Sequence, residues 1–152
     1  MTTIATDGKT IACDTQVSSG NSGSKWPARV NKIHRVGDRY VGISGDLWQA
    51  HLFIKYLKDG KVPEKKLKDI SVLIVEKDGS IYHTDYTFNE LQLTSPFAVG
   101  SGGDYAIGAL GVGASPVEAI KVAAKYDAYT NNDVLVYYVK DLKKKPKKDP
   151  DD

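Results

Sequence analysis

Three times in its first eighty residues the chain interrupts a short apolar run with two or three turn-forming residues and then resumes it, at Asp7-Gly8, Gly37-Asp38 and Lys77-Asp78-Gly79. Such dipeptides bend the backbone tightly enough to fold a run back on its neighbour, so each predicts an antiparallel hairpin. The pairs are residues 3–6 with 10–15, 30–36 with 39–44, and 70–76 with 80–84. Between the second and third hairpins Asp46 can cap a helix from Leu47 to about Leu57, with Leu47, Ala50, Ile54 and Leu57 on one core-facing stripe. Residues 18–28 and 58–68 read as connections. After the third hairpin, residues 97–100 make a short apolar strand, and Gly102 to about Leu110 suits a helix. Ser115-Pro116-Val117-Glu118 is a capping box with proline at the first helical position, opening a helix to about Tyr129. Residues 134–139 are apolar throughout, as a central strand would be. Strands, helix, strands, two helices, strand is not the alternation of βαβ units. It predicts an α+β domain of two antiparallel sheets with helices on the outer faces.

At 152 residues there is material for one core. The expected division is one domain over residues 1–139 and a charged, solvated tail over 140–152. The net charge of +2 comes from that tail, which holds six lysines and four aspartates and leaves fifteen basic and fifteen acidic residues in the body. A nearly neutral body offers no stripe to replace phosphate counterions, so nucleic acid is not an expected partner. No run is long and apolar enough for a membrane helix, and the first residues carry neither a basic leader nor an apolar signal segment, so the expectation is a cytoplasmic protein. Cys13, the single cysteine, lies in an apolar run and reads as a small buried hydrophobe. His34, His51 and His83 lack ligand spacing, so no metal is expected. Gly100-Ser101-Gly102-Gly103 lacks the lysine and spacing of a phosphate loop, and no Gly-x-Ser-x-Gly elbow is present. No cofactor is called for.

The remaining chemistry lies at the start of the chain. Methionine before a small residue is readily trimmed, and trimming Met1 would give Thr2 a free amine beside its own hydroxyl, base and nucleophile on one residue. Thr2-Thr3-Ile4, Ile11-Ala12-Cys13-Asp14, Arg29-Val30-Asn31-Lys32 and Gly42-Ile43-Ser44-Gly45-Asp46 resemble, in order and spacing, the opening strands of proteasome β-subunits and bacterial HslV. Val99-Gly100-Ser101-Gly102-Gly103-Asp104-Tyr105-Ala106 and Tyr126-Asp127-Ala128-Tyr129-Thr130 resemble that family's later signatures, so the likeness runs to about residue 140. The resemblance implies an N-terminal nucleophile hydrolase with a four-layer αββα sandwich, acting as a threonine peptidase. It assigns Thr2 as nucleophile, Lys32 facing Asp14 as the charge that favours its deprotonation, and the Gly45 N–H as oxyanion donor. Ser101, Asp127 and Thr130 become the group around the terminal amine, with Thr130 where the family usually has serine.

The same carry-over puts Val17, Val30, His34, Ile43 and Leu47 near the pocket for the side chain before the cleaved bond. With four of the five apolar, cleavage is expected after Leu, Tyr or Phe. The substrate would be a peptide or unfolded protein, and the resemblance further implies a homo-oligomer enclosing its sites, with an ATPase unfoldase as candidate partner. The chain departs from the family between the first long helix and the third hairpin, where the available residues are too few for the usual second helix. One outer helix is expected to be shortened or missing. Two other readings compete: a non-catalytic assembly subunit of the same fold, and an amidase acting on small amides.

Overall fold

A computed structural model describes residues 2–20 and 22–146; Met1, Asn21 and residues 147–152, with the end of the expected tail, lie outside the described residues. The elements run β1 (Ile4–Thr6), β2 (Thr10–Asp14), β3 (Gln16–Ser18), β4 (Lys25–Arg29), β5 (Ile33–Val36), β6 (Arg39–Gly45) and α1 (Leu47–Asp59). They continue as β7 (Ile70–Glu76), β8 (Ile81–Asp85), β9 (Leu91–Leu93), β10 (Phe97–Val99), α2 (Gly103–Gly111), α3 (Pro116–Tyr126) and β11 (Val134–Tyr138). The three turn signatures close the three hairpins β1–β2, β5–β6 and β7–β8. They are shared between two antiparallel sheets, ordered β10-β1-β2-β11 and β5-β6-β7-β8-β9, with β3 and β4 as a separate two-stranded ribbon.

Side-chain alternation along these strands distributes the core. Ile4, Ile11, Cys13 and Val99 of the four-stranded sheet share one apolar cluster with Tyr40, Leu73, Val75 and Ile81 of the five-stranded sheet. Their neighbours in sequence, Ala5, Ala12 and Ala98, meet Ala106 and Leu110 of α2 and Ala119, Ile120 and Ala123 of α3. The residues beneath these helices are mostly alanines, which lets helix and sheet backbones approach closely. On the five-stranded sheet Val41, Ile43, Val72 and Ile74 pack with Phe53 and Ile54 of α1. Among the described residues the protein is thus mixed α/β, with antiparallel sheets and three α-helices. No described helix is long and apolar enough to cross a membrane.

Both expected caps form. Asp46 accepts from the Gln49 N–H at 2.9 Å, and Ser115 and Glu118 exchange both bonds of the capping box. Several expectations change. Residues 18–28 are not all loop, because Lys25–Arg29 pair with β3 across a bulge; β4 is exposed along its whole length and carries Pro27, so no alternation marked it. β9 likewise has little burial and was not anticipated. β11 is an edge strand, not a central one. It is apolar because both of its faces are covered, Val134 and Val136 against the helix-side cluster and Leu135 and Tyr137 against the intersheet cluster. Leu47 is 49% exposed, and Phe53 instead joins Ile54 under α1. Helix α3 stops at Tyr126, three residues earlier than expected.

Residues 60–69 contain no helix. Only Leu67 of this connection is buried, inserted into the cluster beneath α1. The chain does not leave the body at residue 140 either: a 3-10 turn over Val139–Lys143 buries Leu142, and the Arg35 guanidinium donates to the carbonyls of Asp141, at 3.2 Å, and Leu142, at 3.1 Å.

Candidate active site

The first hairpin brings the start of the chain to the end of β2. Ile4 pairs with Cys13, so Thr2 and Thr3, just before β1, lie beside Asp14, the last residue of β2. On the other side Ile4 pairs with Val99, which sets residues 100–102 against Thr2. The approach is very close: Gly100 has φ +102°, and a Cβ there would lie 2.0 Å from the Thr2 carbonyl oxygen. The glycine run excluded as a phosphate loop therefore serves to admit the N-terminal residues.

Lys32 precedes β5 and points into the same space. Thr2, Asp14 and Lys32 are 1%, 0% and 6% exposed, so the ion pair of Lys32 Nζ with Asp14 Oδ1, at 2.9 Å, is almost wholly withdrawn from water. Lys32 Nζ also donates to Thr2 Oγ1, and that hydroxyl donates to Asp14 Oδ1. Asp14 is otherwise held by three backbone N–H groups, from Thr3 at 3.1 Å and from Gln16 and Asn131 at 3.2 Å each. A buried charge needs such donors to offset lost hydration. Burial lowers the Lys32 ammonium from the ordinary lysine value, with the charge of Asp14 working against the shift. Cys13, beside this pair in sequence, has its thiol pushed up to about 11, chiefly by burial, as suits an inert core residue.

The turn after α3 supplies a second polar group. Asp127 Oδ2 accepts from Ser101 Oγ and from Thr130 Oγ1, each at 2.6 Å. Thr130 Oγ1 also lies 2.7 Å from Thr3 Oγ1, and Ser101 Oγ donates to the Thr2 carbonyl at 3.4 Å. The structure thus brings Thr2, Asp14, Lys32, Ser101, Asp127 and Thr130 together.

Beside the Thr2 hydroxyl is a pocket of about 40 Å³ lined by Thr2, Lys32, Val17, Ile43, Gly45 and Leu47, with Gln16 and Ser18 on the β3 side. Gly45 has φ +123°, and a Cβ there would lie 1.9 Å from the Asp69 carbonyl oxygen, so no other residue fits this backbone. Val17, Ile43 and Leu47 line this pocket. Val30 and His34 do not line the pocket: Val30 lies between β4 and β5, and His34 is exposed where it alternates with the buried Ile33 on β5. An adjoining groove of about 680 Å³ shares Val17, Gly45 and Leu47 and adds Trp26 and Trp48. Neither tryptophan was singled out from the sequence, nor were Gln16 and Asn131. Both tryptophans being exposed, at 60% and 62%, an aromatic in a polar loop and one in the first turn of a capped helix were the available signals. Among the described residues no three of His, Cys, Asp and Glu gather as metal ligands.

No protein-family model matches the chain, and no curated protein matches it. Solved structures do. Over 90% of this chain and 95% of the other, it is similar to Thiobacillus denitrificans BPH, with 23% identity and a TM-score of 0.69. The same protein in complex with epoxomicin gives 22% identity and a TM-score of 0.68, over 90% of this chain and 96% of that one. HslV of Trypanosoma brucei is similar over 89% of this chain and 97% of its own, with 20% identity and a TM-score of 0.66. The chain has the HslV-like fold.

Proposed function

We propose that the protein is a peptidase of the N-terminal nucleophile kind, with Thr2 as its nucleophile after loss of Met1, and that its two sheets and outer helices form an αββα sandwich lacking one outer helix. One observation carries the reading: the Thr2 hydroxyl is buried between the Lys32 ammonium and the Asp14 carboxylate, at the wall of a pocket that Gly45 also lines. The likeness to HslV and BPH, the latter solved with epoxomicin, supports it.

In this mechanism Thr2 Oγ attacks the carbonyl of the scissile peptide bond while the hydroxyl proton passes to the free Thr2 amine. Lys32 stabilises the oxyanion character of Oγ, and Asp14 orients Lys32. The Gly45 N–H donates to the developing oxyanion on the substrate. Collapse breaks the C–N bond, the amine returns its proton to the leaving group, and an ester on Thr2 remains. Water, deprotonated by the same amine, then releases the acid and regenerates the hydroxyl. Ser101, Asp127 and Thr130 form the polar group that fixes the amine. Substrates are peptides or unfolded protein, and the protein self-associates so that its sites are enclosed, with an ATPase unfoldase as candidate partner.

The test is turnover of short fluorogenic peptides. Thr2→Ala should abolish hydrolysis without changing assembly, and Thr2→Ser should retain part of it, because the oxygen is kept and only the positioning methyl is lost. Equal turnover by wild type and Thr2→Ala would refute the assignment; a processed wild type with no turnover would favour the non-catalytic assembly subunit.

A further inference from the structure

The pocket beside Thr2 and the groove next to it differ in size by more than tenfold, about 40 against 680 Å³. An apolar cavity of about 150 Å³ is what a single benzene ring occupies. The space beside the nucleophile therefore admits a methyl or hydroxymethyl group and excludes the Leu, Tyr or Phe side chain expected from sequence. Gln16, 5% exposed, is fixed in its wall by its amide nitrogen, which donates to Ser18 Oγ and to the Ala128 carbonyl.

The groove has the opposite character. Trp26 and Trp48, each more than half exposed, stand with the half-exposed Leu47 along it, and all three apolar surfaces are without a covering partner among the described residues. Val17 pairs with Trp26 across the β3–β4 ribbon, and the Trp48 indole stacks on His51 with centroids 5.8 Å apart. Asp46 and Asp69 are the charged residues of its lining, which includes no lysine or arginine, and this disfavours an acidic occupant.

Because the groove and the Thr2 pocket share Val17, Gly45 and Leu47, one extended peptide can occupy both. We infer that this protein selects peptides with alanine or serine before the cleaved bond and a large aromatic or aliphatic side chain at a flanking position, held by Trp26 and Trp48. The inference rests on the peptidase reading for the position of the cleaved bond, while the groove itself binds whether or not chemistry follows.

Trp26 and Trp48 are the two tryptophans of the chain, so intrinsic fluorescence reports the groove directly. Full-length Thr2→Ala protein would be titrated with capped hexapeptides of alanine in which a single Phe is moved along the sequence, against the all-alanine peptide. One Phe position should bind at least tenfold more tightly and shift tryptophan emission, and Trp48→Ala or Trp26→Ala should erase the advantage while Trp48→Phe restores most of it. Equal affinity of the all-alanine peptide, or an unchanged preference in both alanine variants, would overturn the groove assignment. Wild-type digests of peptides varied at the residue before the cut, read by mass spectrometry, test the pocket: cleavage after Leu, Phe or Tyr as fast as after Ala or Ser overturns it. Selective binding with no cleavage by wild type would sink the peptidase reading and leave the groove standing.

Discussion

At the scale of single residues, Asp14 and Lys32 form one buried pair with unequal dependence on each other. Asp14 keeps three backbone donors when Lys32 is removed, whereas Lys32 without Asp14 retains, among the described residues, the Thr2 hydroxyl as its hydrogen-bond partner. Removing one partner of a buried pair costs about 3–5 kcal/mol when the other charge is left unmatched. Asp14→Asn should therefore lower the melting temperature clearly more than Lys32→Met, which a pair of thermal denaturation curves at neutral pH decides. A reversed order would mean that the backbone donors do not sustain Asp14. For catalysis the ranking differs, since both variants remove the electrostatic support of Thr2, and Lys32→Ala should lose at least ~100-fold in turnover. Burial lowers the pKa of Lys32 from its usual 10.5. The proposed mechanism needs the ammonium, so raising the pH removes the active form sooner than an exposed lysine would allow. The alkaline limb of kcat/KM should fall below pH 10.5, and in Lys32→Arg it should move up or vanish along with whatever activity persists. A limb unmoved in Lys32→Arg would assign it to another group.

At the scale of elements, the alanine layer under α2 and α3 determines how precisely the polar group meets Thr2. Helix α3 ends one residue before Asp127, and Ala123, fully buried, is where the last turn of that helix rests on the other alanines of the sheet and helices. Ala123→Leu inserts three carbons into this contact, which costs about 1–3 kcal/mol. It should also move Asp127 and Thr130 off Ser101 and Thr3. The expected outcome is a stable but impaired protein, with turnover reduced more than thermal stability alone explains. Full turnover at a lowered melting temperature would detach the helix from the site. The hairpins and both caps were legible in the sequence because each depends on a few adjacent residues. What was not legible depends on partners distant in sequence: the exposed ribbon strand β4 with its proline, the edge position of β11, and the exposure of Leu47. The same division runs through the site. Val17, Ile43 and Leu47 could be carried over from the resemblance, but Asn131, which reaches Asp14 through its backbone N–H, has no side-chain signature for that role.

At the scale of the whole molecule, strands of both sheets and the turn into α2 converge on one residue near the start of the chain. Thr2 is reached by β1 through sequence, by β2 through Asp14, by the segment before β5 through Lys32, by the end of β6 through Gly45, and by the β10–α2 turn through Gly100 and Ser101. An assembly that enclosed this end would screen the nucleophile while leaving the opposite end free. Whether Thr2, freed of Met1, is the nucleophile is decided by native mass spectrometry of the intact protein after exposure to epoxomicin. The expected result is an assembled particle in which every subunit has lost Met1 and carries one inhibitor, with peptide mapping placing the adduct on the residue that begins Thr2-Thr3-Ile4, and no adduct on Thr2→Ala. Retention of Met1 in an active preparation, or an adduct at Cys13, Lys32 or any residue other than Thr2, would contradict it.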